Sequence, residues 1–85
     1  MAGNKEKNIK LVYYAVLKDE RGCREEVYRT EAKTALELYC ELRKKFKFSL
    51  AEDRLKVAIN GMFKGWDALL ENNDEVVFIP PVAGG

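Results

Sequence analysis

Histidine does not occur in this chain of 85 residues. Its absence removes the commonest general base and the commonest imidazole metal ligand together. The two cysteines, Cys23 and Cys40, stand far apart and form no CxxC pair. A zinc site would need both thiols plus carboxylates, and nothing in their spacing suggests one. No apolar run approaches the ~18–20 residues that cross a bilayer. The polar opening MAGNKEKN has no apolar stretch of a secretory signal behind it. Charge of one sign is lacking too: fifteen Lys and Arg meet fourteen Asp and Glu, for a formal net charge of +1. Neither nucleic acid nor a membrane is therefore expected as the main partner. A cytoplasmic protein with reduced thiols is the expectation.

Proline is scarce, and its two copies are adjacent, Pro80 and Pro81. They follow the strand-like run EVVFI and open a tail, PPVAGG, that finishes on Gly84 and Gly85. What surrounds them is ordinary: 47% hydrophobic and 34% charged residues describe a globular domain, of a size that builds one modest core.

Residues 1–8 read as a disordered polar extension, 9–79 as one folded domain, and 80–85 as a flexible functional tail. The run IKLVYYAVL (9–17) is rich in β-branched and aromatic residues and predicts a central strand. KDERG (18–22) predicts a turn with Gly22 at positive φ, and REEVYRT (24–30) a second strand completing a hairpin. Over 34–45 the apolar period changes to three and four, through Ala35, Leu38, Leu42 and Phe46, which predicts a helix. Thr34 and Glu37 make a capping box at its start, and Arg43, Lys44 and Lys45 suit its C-terminal dipole. Residues 46–54 read as a loop. LKVAI (55–59) predicts a strand running into Asn60-Gly61, a two-residue hairpin signal, with MFKGW as a short return. ENND (71–74) turns the chain again before the last strand, 75–79. A hairpin, one helix and a last strand beside the first give an α+β, ubiquitin-like β-grasp with a mixed sheet. One helix covers one sheet face only.

The stretches VYYAVLKDERG, TALEL and VAINGMFKGWDALLENNDEVVFIPPVAGG together resemble the small, sulfur-carrying subunit of molybdopterin synthase, a ubiquitin-like family. The resemblance runs from residue 9 to Gly85 and is most specific in DEVVFIPPVAGG. It implies that an ATP-dependent enzyme adenylates the Gly85 carboxylate and that sulfur then converts it to a thiocarboxylate, with Gly84 beside it in the motif. It implies docking on a large catalytic subunit within a heterotetramer, and donation of sulfur to cyclic pyranopterin monophosphate. The carrier is no enzyme on its own and binds no cofactor. ATP belongs to the activating enzyme, in keeping with the absence of a phosphate-binding loop here.

The tail's chemistry fits that task. Six residues from Pro80 reach at most ~20 Å. Gly84 and Gly85 lack Cβ atoms, so their backbone can pass close to another protein's walls. Pro80 and Pro81 cannot extend the strand ladder and bias the chain toward extended forms. Val82 and Ala83 complete the segment that enters a partner. By strand parity, if Val76 and Phe78 face the helix, Val77 and Ile79 face outward as a docking surface. Cys23 reads as an incidental loop thiol, Cys40 as a small core residue, and Trp66 and Asp67 as packing and turn residues. The cations at 43–45 read as a solvated helix end. Three other readings share parts of the pattern: a thiazole-pathway sulfur carrier, a ubiquitin-like modifier joined through Gly85 to lysines, and an interaction module with an inert tail.

Overall fold

Ile9, Leu11 and Tyr13 alternate with Asn8, Lys10 and Val12 along the first strand, β1 (Lys7–Tyr13). The first three are fully buried, as a half-covered strand requires. The computed structural model describes residues 5–81. β1 takes in Lys7 and Asn8, which the sequence reading placed in the polar extension.

The strand does not continue to residue 17, and 18–22 is not a hairpin turn. Tyr14 is extended and caps a short helix, α1 (Ala15–Arg21), whose first residue has φ 52°. The run YYAVL suits a strand by local propensity, but tertiary packing overrides it. As a helix the segment buries Leu17 completely and packs Val16 against the same core. Gly22 does adopt positive φ, at 87°, but as the C-cap of α1, its N–H donating to the Lys18 carbonyl. β2 (Glu25–Thr30) then returns antiparallel to β1, with Ile9 opposite Tyr28 and Lys10 opposite Val27.

The main helix, α2 (Ala35–Phe46), forms where the apolar period predicts it. Thr34 Oγ1 accepts from the Glu37 N–H at 3.1 Å. The reciprocal bond of the expected capping box is displaced by one residue, since Glu37 accepts from Lys33 N–H at 2.9 Å. Ala35, Leu38, Tyr39 and Leu42 are the buried face. Cys40 is exposed, which corrects its reading as a core residue: it lies one position past Tyr39, beyond the edge of the apolar stripe. Lys47 ends the helix in the left-handed region, and the loop that follows holds a 3-10 turn at Glu52–Arg54.

β3 (Lys56–Ile59) and β4 (Met62–Lys64) make the expected hairpin. Asn60 (φ 53°) and Gly61 (φ 87°) supply the two positive φ angles of its tight turn. The Asn60 amide also accepts from Glu75 N–H at 2.9 Å and donates to Asp74 at 2.8 Å. Those bonds tie this turn to the start of β5 (Glu75–Ile79).

The sheet order is β2-β1-β5-β3-β4. β5 lies parallel to β1 and antiparallel to β3, so the last strand is the central one. This is the α+β β-grasp arrangement expected from the sequence, with α1 added between the first two strands. Tyr39 of α2 centres the core, its ring 5.1 Å from Phe78, 5.8 Å from Trp66 and 6.1 Å from Phe48. Burial pushes its phenol up to about 12, and its hydroxyl donates to the Leu50 carbonyl at 2.7 Å. Among the described residues no helix is long and apolar enough to cross a membrane.

Candidate functional site

The parity argument holds along β5. Val76 and Phe78 are fully buried within the cluster that contains the α2 residues, while Val77 and Ile79 are half-buried and face the other way. Register extends that outward face into one row: Val12 lies opposite Val77, Val77 opposite Ala58, and Ala58 opposite Phe63. Residues paired across strands share a face. Val12 and Ala58 are buried, whereas Phe63 is 69% exposed. The sequence analysis named Val77 and Ile79 but missed Val12, Ala58 and Phe63. Their membership depends on strand order and register, which one sequence does not state.

One end of this face is where the tail begins. Ile79 pairs with Lys56, Pro80 is buried, and Pro81 is exposed. A shallow hollow there is lined by the apolar Leu55, Phe63, Ile79, Pro80 and Pro81 and by the charged Asp53, Arg54 and Lys56. Neither Arg54 nor Lys56 has an ion pair among the described residues. The opposite end is neutralised differently. Lys10 lies 3.0 Å from Glu25 and 3.6 Å from Glu75. The hydrogen bond with Glu25 is the largest cause that holds the Lys10 ammonium above the ordinary lysine value.

Four of the residues singled out by sequence, Val77, Ile79, Pro80 and Pro81, are thus brought together around the root of the tail. Val82, Ala83, Gly84 and Gly85 lie outside the described residues.

The helix-covered side carries a separate polar cluster that the sequence analysis did not find. Glu26 accepts from Tyr13 Oη at 2.7 Å and from Arg21 Nε and Nη2, both at 2.8 Å. Burial alone would raise the Glu26 carboxyl, but the bonds from Arg21 and Tyr13 outweigh it and hold the group below its ordinary value. Burial, then the bond to Glu26, pushes the Tyr13 phenol well up. Nearby, Glu41 accepts from Tyr28 and from Thr30. These bonds join α1, β1, β2 and α2, and each buried polar group has its partner, which is the signature of a structural network. Cys23 is half-buried and packs against the core. Trp66 is a packing residue, its ring stacked on Phe78. Arg43 donates to the Phe48 carbonyl and Lys45 lies over the Tyr28 ring, so two of the three helix-end cations have local roles. No group of three or more Cys, Asp or Glu among the described residues could hold a metal ion.

The ThiS family matches residues 11–85. The chain belongs to the ThiS family. No curated protein matches its sequence. Among solved structures, a candidate molybdopterin converting factor subunit 1 from Pyrococcus furiosus is 30% identical, with a TM-score of 0.72 over 89% of this chain and 99% of that one. Two further structures show the likeness of fold. One is a complex of subunits 1 and 2 of molybdopterin-converting factor from Helicobacter pylori (22% identity, TM-score 0.62, 92% of this chain and 99% of that one). The other is small archaeal modifier protein 1 from Methanosarcina acetivorans (21% identity, TM-score 0.74, 96% of this chain and 100% of that one). This ThiS-family chain is therefore similar both to subunits of a converting factor and to a protein modifier.

Proposed function

We propose that this chain is a sulfur carrier in which residues 80–85 are the working segment and the folded domain is the handle. ATP supplied by a separate activating enzyme converts the Gly85 carboxylate to an acyl adenylate, releasing pyrophosphate. A sulfur nucleophile then displaces AMP and leaves a thiocarboxylate. The acceptor is cyclic pyranopterin monophosphate, held in the active site of a large catalytic subunit. This chain is the sulfur-donating subunit, and its partners supply the acid–base chemistry.

One observation carries this reading. The central strand β5 runs along an apolar row that opens to solvent at Phe63 and, in part, at Val77 and Ile79, and it delivers Pro80 and Pro81 at its edge, so a protein seated on that row meets the root of the tail. The ThiS-family match and the 30% identity to a subunit 1 chain support it. Val12 and Ala58 are already buried in the free chain, so the gain on docking rests mainly on Phe63, about 1.5–3 kcal/mol if a partner buries it completely, with a smaller share from the half-buried Val77. The likeness in fold to a modifier protein favours a second reading, in which the same activated Gly85 forms an isopeptide bond with a lysine. The thiazole-pathway carrier differs from the first reading only in its acceptor.

The test is incubation with ATP, a sulfide source and the activating enzyme, followed by mass spectrometry of the tryptic peptide 65–85. That peptide contains neither Met nor Cys, so methionine oxidation cannot imitate the exchange of one oxygen for sulfur. Thiol-selective alkylation distinguishes the product from oxidised Trp66. Sulfur on Gly85 is expected. An unchanged carboxylate, with the enzyme active on another carrier, sinks the proposal.

A further inference from the structure

The open face is not electrostatically uniform. At the Glu75 end, Lys10 is held between two carboxylates, a trio that carries one negative charge in excess. About 13 Å away, at ~3.3 Å per residue along β5, Lys56 stands opposite Ile79. Beside it Arg54 also has no ion pair among the described residues, and Asp53 is the hollow's one acid. With Arg54 and Lys56 against Asp53, the tail end of the face is positive, and its apolar lining includes Phe63, 69% exposed.

From this arrangement we propose that the hollow at the root of the tail recognises an acidic segment, tipped by an apolar side chain, on the protein that takes the tail up. The proposal rests on the docking reading above and specifies the chemistry of the partner. An aliphatic or aromatic side chain fills the hollow between Phe63 and Ile79. Flanking carboxylates pair with Arg54, which suits their planar geometry, and with Lys56. Because the two ends of the face differ in sign, a partner landing in the reverse direction would set its carboxylates against Glu25 and Glu75. Charge complementarity of this kind fixes orientation and speeds encounter more than it adds affinity. For a carrier whose tail leaves from one end of the face, orientation decides whether the tail meets a receiving channel.

The test measures association of the full-length chain with the large catalytic subunit from the same source, at low salt and at ~1 M salt, where screening shortens to about 3 Å. Four proteins are compared: the natural chain, Arg54→Glu with Lys56→Glu, Asp53→Asn, and Val77→Lys. Arg54, Lys56 and Asp53 are exposed, so the first two variants are expected to keep the natural circular dichroism spectrum and melting temperature. Charge reversal slows association by about tenfold or more at low salt, and the difference collapses at high salt. Asp53→Asn speeds association two- to threefold, a gain that a merely structural role for this rim would not produce. If the reversal variant associates as fast as the natural chain while Val77→Lys fails to bind, the docking reading stands and this inference falls. If the natural chain does not bind, both fall. Two findings on the free chain would also overturn it: amide order parameters at Ala83 and Gly84 as high as those of β5, which would seat the chain's own tail in the hollow, or a self-association abolished by the reversal, which would seat a second copy there.

Discussion

The two faces of the sheet are built from the same strands and differ in what each alternate residue meets. On the covered face, Ile9, Leu11, Val57, Val76 and Phe78 meet α2 and are almost completely buried. On the other face, Val12, Val77, Ala58 and Phe63 form a row of similar composition that lies outside the main core cluster and opens to solvent at Phe63 and, in part, at Val77. Stability is concentrated on the first face, and the docking proposed above uses the second. A strand can serve both because its side-chain period is two, so consecutive residues of β5 carry separate tasks.

Substitutions on neighbouring residues should therefore have different readouts. Phe78→Ala removes a ring packed against Tyr39 and Trp66, and about 3–5 kcal/mol of stability is expected to be lost. A urea midpoint close to the natural one would show that the covered face does not hold the fold. Val77→Lys, one residue away, is expected to change unfolding free energy by under about 1 kcal/mol. Its binding to the large subunit should weaken by 10–100-fold, or about 1.4–2.7 kcal/mol. Calorimetric titration checks this, and unchanged affinity would remove the division of labour.

Two smaller effects sharpen the covered side. Thr34→Ala deletes the side-chain cap of α2 and should cost about 1 kcal/mol in thermal unfolding without touching binding. The Glu26 cluster makes stability depend on pH. Its carboxyl sits below the ordinary glutamate value in the folded chain. Its contribution is thus fully present above that ordinary value and is lost as pH falls through the lower folded value. The difference in unfolding free energy between the natural chain and Glu26→Gln, about 1 kcal/mol for a half-buried carboxylate whose partners remain, should be steady near neutrality and shrink below about pH 4. A difference independent of pH would mean that shape, not charge, holds the cluster.

The sequence disclosed those parts of the molecule whose cause is local. Thr34 and the apolar period announced α2, Asn60-Gly61 announced the β3–β4 turn, and alternation in EVVFI separated the two faces. α1 stayed hidden because seven residues show less than two full turns of helical period, and its apolar residues are as acceptable in a strand. Its reason for existing is distant: Leu17 reaches the core and Arg21 reaches Glu26. The hollow was equally illegible. It brings the 3-10 turn, β3, β4 and the end of β5 to one place, a juxtaposition set by sheet order. Arg54 and Phe63 carry no motif; only their neighbours give them a role.

The central position of β5 has a mechanical consequence. Along most of its length it is bonded on both sides, to β1 and to β3. A pull on Pro81 along the strand direction loads the two ladders in shear, so many hydrogen bonds share the force instead of opening one after another. An edge strand dragged sideways would peel. A protein that draws the chain's end into a narrow channel can therefore hold it under tension while the domain behind it keeps its shape.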